Sequence, residues 1–232
     1  MLKLEGVHAH YGKSHILQGV NFHVGKGEAV ALLGRNGVGK TTTLRSIMGL
    51  TPPSAGTVTF AGVPVDHLAP FRIPRLGLGY VPQGRRLFPK LTVYENMCVG
   101  LTGKPADGEL DPIFERFPVL KKRLEQLGGT LSGGEQQMLA IARCLVMKPK
   151  MILLDEPTEG IMPKLVASIR EDIRAINKNG VSILLVEQNI RTALAVCERV
   201  YVMEKGVIVH EGGSQELRAN PEIIHRFLGV AL

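Results

Sequence analysis

The chain has 232 residues, of which 44 % are hydrophobic and 21 % charged, and its net charge is +7. A chain of that length can bury a substantial core without needing disulfides, and the proportions are those of an ordinary globular protein. No stretch approaches the roughly 18 apolar residues needed to span a bilayer. The first residues lack the apolar run and small-residue cleavage site of a signal peptide.

The basic residues are scattered, and the densest runs, Arg85-Arg86 and Lys121-Lys122-Arg123, are too short for a nucleic-acid-binding tail. No nucleic-acid partner is expected. Cys98, Cys144 and Cys197 stand far apart in apolar surroundings with no CxxC pattern, which argues against a zinc site or a disulfide framework. They read as small buried hydrophobes. His8 and His10 alternate on a predicted strand, with no third ligand nearby in sequence to make a metal site.

In chain order, strands are predicted over 1–11 and 16–24, then a short apolar run, EAVALL at 28–33, of the kind buried on both faces of a sheet. A glycine-rich loop and a helix over 40–48 follow. Turn-bounded strand pieces lie at 56–60, 63–65 and 78–81. Residues 84–131 differ in character, with proline breaks, an Asp-Gly turn and helical stretches at 113–117 and 119–127. They are expected to form a helical lobe inserted into the core, made of 1–83 and 132–232. Alternation then returns: helix 134–147, strand 151–154, helix 163–177, strand 182–186, helix 190–197 and strand 199–203. This pattern predicts an α/β fold with a mostly parallel sheet covered on both faces.

Three motifs carry chemistry. The first, GRNGVGKT at 34–41, matches G-x-x-x-x-G-K-[ST] between an apolar strand and a helix. Gly34, Gly37 and Gly39 let the backbone N–H groups of Arg35, Asn36 and Val38 turn toward a polyphosphate. Lys40 supplies a point charge, Thr41 a hydroxyl for Mg²⁺, and Thr42 continues the helix N-terminus. The second, MILLDEP at 151–157, is an apolar strand ending in acids. Asp155 is placed to hold Mg²⁺ through water, and Glu156 to act as general base for an attacking water. The third, Leu131-Ser132-Gly133-Gly134-Glu135-Gln136-Gln137, is a second anion-binding helix start, with Ser132 able to cap it.

Taken together, these motifs resemble, over nearly the whole chain, the ATP-binding subunits of ABC transporters. The resemblance implies a P-loop NTPase core with an N-terminal antiparallel β subdomain and the inserted helical lobe. It implies ATP and Mg²⁺ as ligands, and a head-to-tail dimer in which Leu131–Glu135 of one subunit meet the ATP of the other. In the same family pattern, Tyr11 stacks on adenine, and Gln83 touches Mg²⁺ and the nucleophilic water. The lobe docks a membrane-spanning permease, and the chain sits at the cytoplasmic face of the membrane. Two positions depart from the pattern. Gln188 stands where a switch histidine is usual, and Met162 where many relatives carry an aspartate. VEQN at 186–189 and YVPQGRRLFPKLTVYEN at 80–96 resemble ATPases of branched-chain amino acid importers, while DEPTEGI at 155–161 leans toward urea and short-chain amide importers. Such systems imply a second ATPase subunit, identical or paralogous, and indirectly a periplasmic binding protein.

Overall fold

The computed structural model describes residues 1–220 together with 222 and 225. Six strands build the central sheet: β3 (Ala29–Leu33), β6 (Leu78–Val81), β7 (Met151–Asp155), β8 (Ser182–Glu187), β9 (Arg199–Glu204) and β10 (Val207–Gly213). Their order is β10-β9-β3-β8-β7-β6, and every pairing is parallel except that of β9 with the edge strand β10. Every residue of β3, β7 and β8 is buried, which accounts for their unbroken apolar runs. Alternate side chains enter opposite cores. Ala29, Ala31 and Leu33 face the core shared with α5 (Gly133–Leu145), α6 (Pro163–Lys178) and α7 (Ile190–Val196). Val30 and Leu32 face the core shared with α1 (Lys40–Ile47) and the N-terminal strands.

Those strands form a separate antiparallel sheet of β1 (Leu2–Tyr11), β2 (Ser14–Val24), β4 (Ala55–Phe60) and β5 (Val63–Pro64), in the order β2-β1-β4-β5. Leu2, Leu4, Val7 and Ala9 of β1 point inward; the alternation skips at Gly6, whose φ of 56° marks a register shift. The β1–β2 pairing brings His15 beside the two strand histidines. Its ring stacks on His10, and its Nε2 lies 2.9 Å from His8 Nδ1. Among the described residues, no group of His, Cys, Asp or Glu is arranged to hold a metal.

Between β6 and α5 lie α2 (Val93–Cys98), α3 (Asp111–Arg116) and α4 (Pro118–Lys121). The helix expected over 119–127 stops at Lys121. Beyond it, the carbonyls of Leu124 and Gln126 accept from the N–H groups of Tyr94 and Val93, donors that the first turn of α2 cannot satisfy internally. Sequence reading passed over α2 itself, although Thr92 and Glu95 form a capping box that is legible in TVYE. It also passed over β10 and α8 (Ser214–Ala219). β10 is a half-exposed edge strand whose short apolar start, Val207-Ile208-Val209, runs into His210-Glu211-Gly212-Gly213, and its backbone pairing to β9 defines it. Cys144 and Cys197 are buried as expected, and Cys98 is only half-buried.

Candidate nucleotide site

The loop after β3 needs its glycines for two physical reasons. Gly39 has φ 115°, a conformation that side chains resist, and a Cβ on Gly34 would lie 2.6 Å from the Met203 carbonyl oxygen. Val38 packs its side chain on the N-terminal core and accepts from Gly206 N–H at 2.9 Å. Lys40 opens α1 but folds its side chain back beneath the loop. Its ammonium donates to the carbonyls of Gly34 at 2.8 Å and Arg35 at 3.0 Å, and lies 3.3 Å from Glu156 Oε1. Both members of that ion pair are buried.

Strand β7 delivers the acids. Asp155 Oδ1 accepts from the Thr41 hydroxyl at 3.1 Å and Oδ2 from the Tyr80 hydroxyl at 3.2 Å. Burial raises the Asp155 carboxyl above its ordinary range; the bonds from Thr41 and Tyr80 oppose this, and the neighbouring Glu156 charge adds to it. Glu156 sits just past the strand end with φ 48°, and its N–H donates to Val186 O at 2.9 Å. Gln83, two residues beyond β6, donates its amide to Glu156 Oε2 at 3.3 Å and to Glu159 Oε2 at 2.8 Å. Gln188 donates its side-chain amide to Asn36 Oδ1.

A cleft of about 460 Å³ has walls that include Tyr11, Asn36, Lys40, Thr41, Thr42, Gln83 and Glu156; Gly34, Arg35, Val38, Asp155 and Gln188 do not line it. Tyr11 is 46 % exposed at its mouth, with its hydroxyl 3.2 Å from Thr51 Oγ1. The adjacent Thr41 hydroxyl and Asp155 carboxylate are hard oxygen donors, which fit Mg²⁺ with most of its shell left to water and phosphate. Sequence reading did not single out Tyr80 and Glu159 as site residues. Tyr80 reaches Asp155 only because β6 pairs in parallel with β7, a register that no local signal announces.

The segment 131–135 lies elsewhere, and none of it lines the cleft. Leu131 is buried, and Ser132 caps α5 in a box with Glu135, whose Oε2 accepts from Ser132 N–H at 2.9 Å. Arg123 pairs with the same glutamate at 3.0 Å. Gly134 packs so closely on α6 that a Cβ would lie 2.4 Å from Leu165 Cδ1, and Gly133 lies under the Arg85 guanidinium. Met162, directly before α6, is 65 % exposed.

Residues 17–159 match the family model described as ABC transporter. A high-affinity branched-chain amino acid transport ATP-binding protein, BraG of Pseudomonas aeruginosa, is 42 % identical across 99 % of this chain and 100 % of its own length. The lipopolysaccharide export ATP-binding protein LptB of Escherichia coli K12 is 33 % identical over 94 % of this chain and 93 % of its own. Among solved structures, a dimeric ATP-binding cassette in a post-hydrolysis state with ADP and Pi superposes with a TM-score of 0.82. It is 26 % identical and covers 92 % of this chain and 99 % of that one. The chain belongs to the ABC transporter ATP-binding family, and it is a nucleotide-binding ATPase.

Proposed function

We propose that this ATPase drives an importer for branched-chain amino acids or similar small polar solutes, with the solute handled by partner polypeptides. The hydrolytic assignment rests on one observation above all, the buried Lys40–Glu156 contact with Gln83 on the same carboxylate. An incoming γ-phosphate competes with Glu156 for the Lys40 ammonium. The released carboxylate then takes a proton from the attacking water, as a general base does. The backbone N–H groups of residues 34–39 and the Thr41 and Thr42 end of α1 hold the phosphates, and Tyr11 stacks on adenine. Thr41 and Gln83, with Asp155 through water, would hold Mg²⁺, which would neutralise phosphate charge. Gln188 contacts the γ-phosphate through its amide, which donates a hydrogen bond but carries no proton to give up.

Ser132, Gly133 and Gly134, with Leu131 and Glu135 shaping the turn, serve the ATP of a second subunit, a copy or a paralogue. Their placement away from the chain's own cleft supports this reading. We assign residues 84–131 as the lobe that moves against the core of 1–83 and 132–232. A groove of about 540 Å³ beside the lobe exposes Phe71, Phe88, Val99 and Met147, with Arg75, Arg86 and Arg143 among its lining residues. This apolar, basic-rimmed surface suits a permease segment, and so a peripheral place at the cytoplasmic face of the membrane. No described helix is long and apolar enough to cross a membrane. A branched-chain amino acid solute is favoured by the 42 % identity to BraG, and an exporter reading by the 33 % identity to LptB.

The test is reconstitution in vesicles with candidate permease subunits and a periplasmic binding protein. ATPase activity is expected to rise with branched-chain amino acid loaded on the binding protein. Stimulation by urea or amides instead would move the substrate. Stimulation only by a lipid cargo leaving the membrane would overturn import, as would tight, salt-dependent nucleic-acid binding without permease association.

A further inference from the structure

Glu187 ends β8 directly before Gln188, and it is only 2 % exposed. Its carboxylate forms no ion pair with any cation among the described residues. It is satisfied by neutral donors alone. Oε1 accepts from the Thr158 hydroxyl at 2.7 Å and from Thr158 N–H at 3.2 Å, and Oε2 accepts from Asn189 N–H at 3.3 Å. Burial raises its pKa, the Thr158 and Asn189 bonds oppose the shift, and the Glu156 charge adds to it.

All three donors belong to two turns. One carries Glu156, Pro157 and Thr158, and the other carries Gln188 and Asn189. Asn189 in turn caps α7 by accepting from Thr192 N–H at 3.1 Å, and the Thr192 hydroxyl accepts from Arg170 of α6 at 2.8 Å. The turn at Glu156 needs such support. A non-glycine residue at φ 48° is strained and persists only where its surroundings over-determine it. The Glu156 N–H bond to Val186 O fixes the near side of that turn, and Glu187 fixes the far side.

We propose that Glu187 is a positioning residue for hydrolysis, joining the Glu156–Thr158 turn to the Gln188–Asn189 turn so that base and phosphate-contacting amide hold one geometry. The inference rests on the assignment of Glu156 as base and Gln188 as phosphate contact. A buried carboxylate without a cation is a poor stabiliser, because desolvation opposes its charge. Its presence between these two turns therefore points to placement, where an error of about 1 Å can cost on the order of 100-fold in rate.

Glu187→Gln keeps the shape and the acceptor for Thr158 but sets an NH₂ against Asn189 N–H. It is expected to lower kcat about 30-fold while the KM for ATP and the affinity for a fluorescent ATP analogue stay within about twofold, with the melting temperature unchanged or raised. Thr158→Val removes the hydroxyl bond alone and is expected to lower kcat less. The double variant should match Glu187→Gln rather than multiply the two losses, as members of one network do. A kcat for Glu187→Gln within twofold of the parent overturns the proposal, as do multiplicative losses, or a fall in kcat that comes with lost melting temperature and nucleotide affinity. Glu156→Gln, measured in parallel, separates the two readings. If it retains turnover, the assignment of the base fails; if it is inactive while Glu187→Gln is normal, only the positioning role fails.

Discussion

The nucleotide cleft and the segment at Leu131–Glu135 are both glycine-bearing helix starts, yet they are built differently. In the cleft, Lys40 turns back under the loop toward Glu156, and Thr41 meets Asp155 across β7, so two helix and strand ends converge on one space. At α5, Ser132 and Glu135 cap each other, Gly134 lies against Leu165, and Gly133 lies against the Arg85 guanidinium. The first arrangement concentrates groups for chemistry. The second is a capped helix start that does not line the cleft. One glycine-bearing helix start can thus border a cleft and another lie outside it, depending on what the sheet brings opposite it.

The sharpest test of the first half is Glu156→Gln. It should lower kcat by about 1,000-fold, roughly 4 kcal/mol of transition-state stabilisation, while nucleotide still binds. Full residual turnover in a steady-state ATPase assay would remove Glu156 as the base. The second half is tested by Ser132→Arg, which fills the space over the α5 start. Turnover should fall about 100-fold with the affinity of the isolated chain for ATP unchanged, whereas an equal loss of both would mean that the segment serves its own cleft.

Gln188→His probes the contact between the turn after β8 and the glycine-rich loop, because the Gln188 amide reaches Asn36. Hydrolysis should stay within about fivefold of the parent if the position supplies one hydrogen bond, and a larger loss would give the glutamine a role that histidine cannot fill. The smallest effect lies outside both regions. Asp172 on α6 is half-buried, and burial, against the pull of Arg116 and with the help of Glu171, pushes its carboxyl up to about 6. A folded-state pKa raised above the unfolded value means that stability is fully present at low pH and is lost as pH rises through 6. Asp172→Asn should therefore stabilise the fold by about 1 kcal/mol at pH 7.5, after allowance for solvent screening, and by nothing below about pH 4. Thermal melts at the two pH values would check this, and ATPase activity should not change.

Much of this was legible in order along the chain. The apolar runs that became β3, β7 and β8 are buried on both faces, so their composition alone identified them. The loop 34–41 and the acids at 155–156 were equally plain, because a phosphate cradle and a strand-end carboxylate depend on residue type and local spacing. The edge strand β10 was not legible, since a half-exposed strand carries little hydrophobic period and is made by its partner. The end of α4 was not legible either, because the carbonyls that follow it are claimed by α2.

By itself, then, the amino-acid sequence determined the chemical inventory: which loop carries the glycines and the lysine, which strand end carries acids, and which second helix start is glycine-bearing. Only the tertiary structure decided who meets whom. Tyr80 reaches Asp155 through the parallel register of β6 and β7, Gln83 finds both Glu156 and Glu159, and Glu187 ties Thr158 to Asn189. Local spacing encodes side-chain type and backbone turn within a few residues. Contacts between strands far apart in the chain depend on sheet order, which no short stretch of sequence contains.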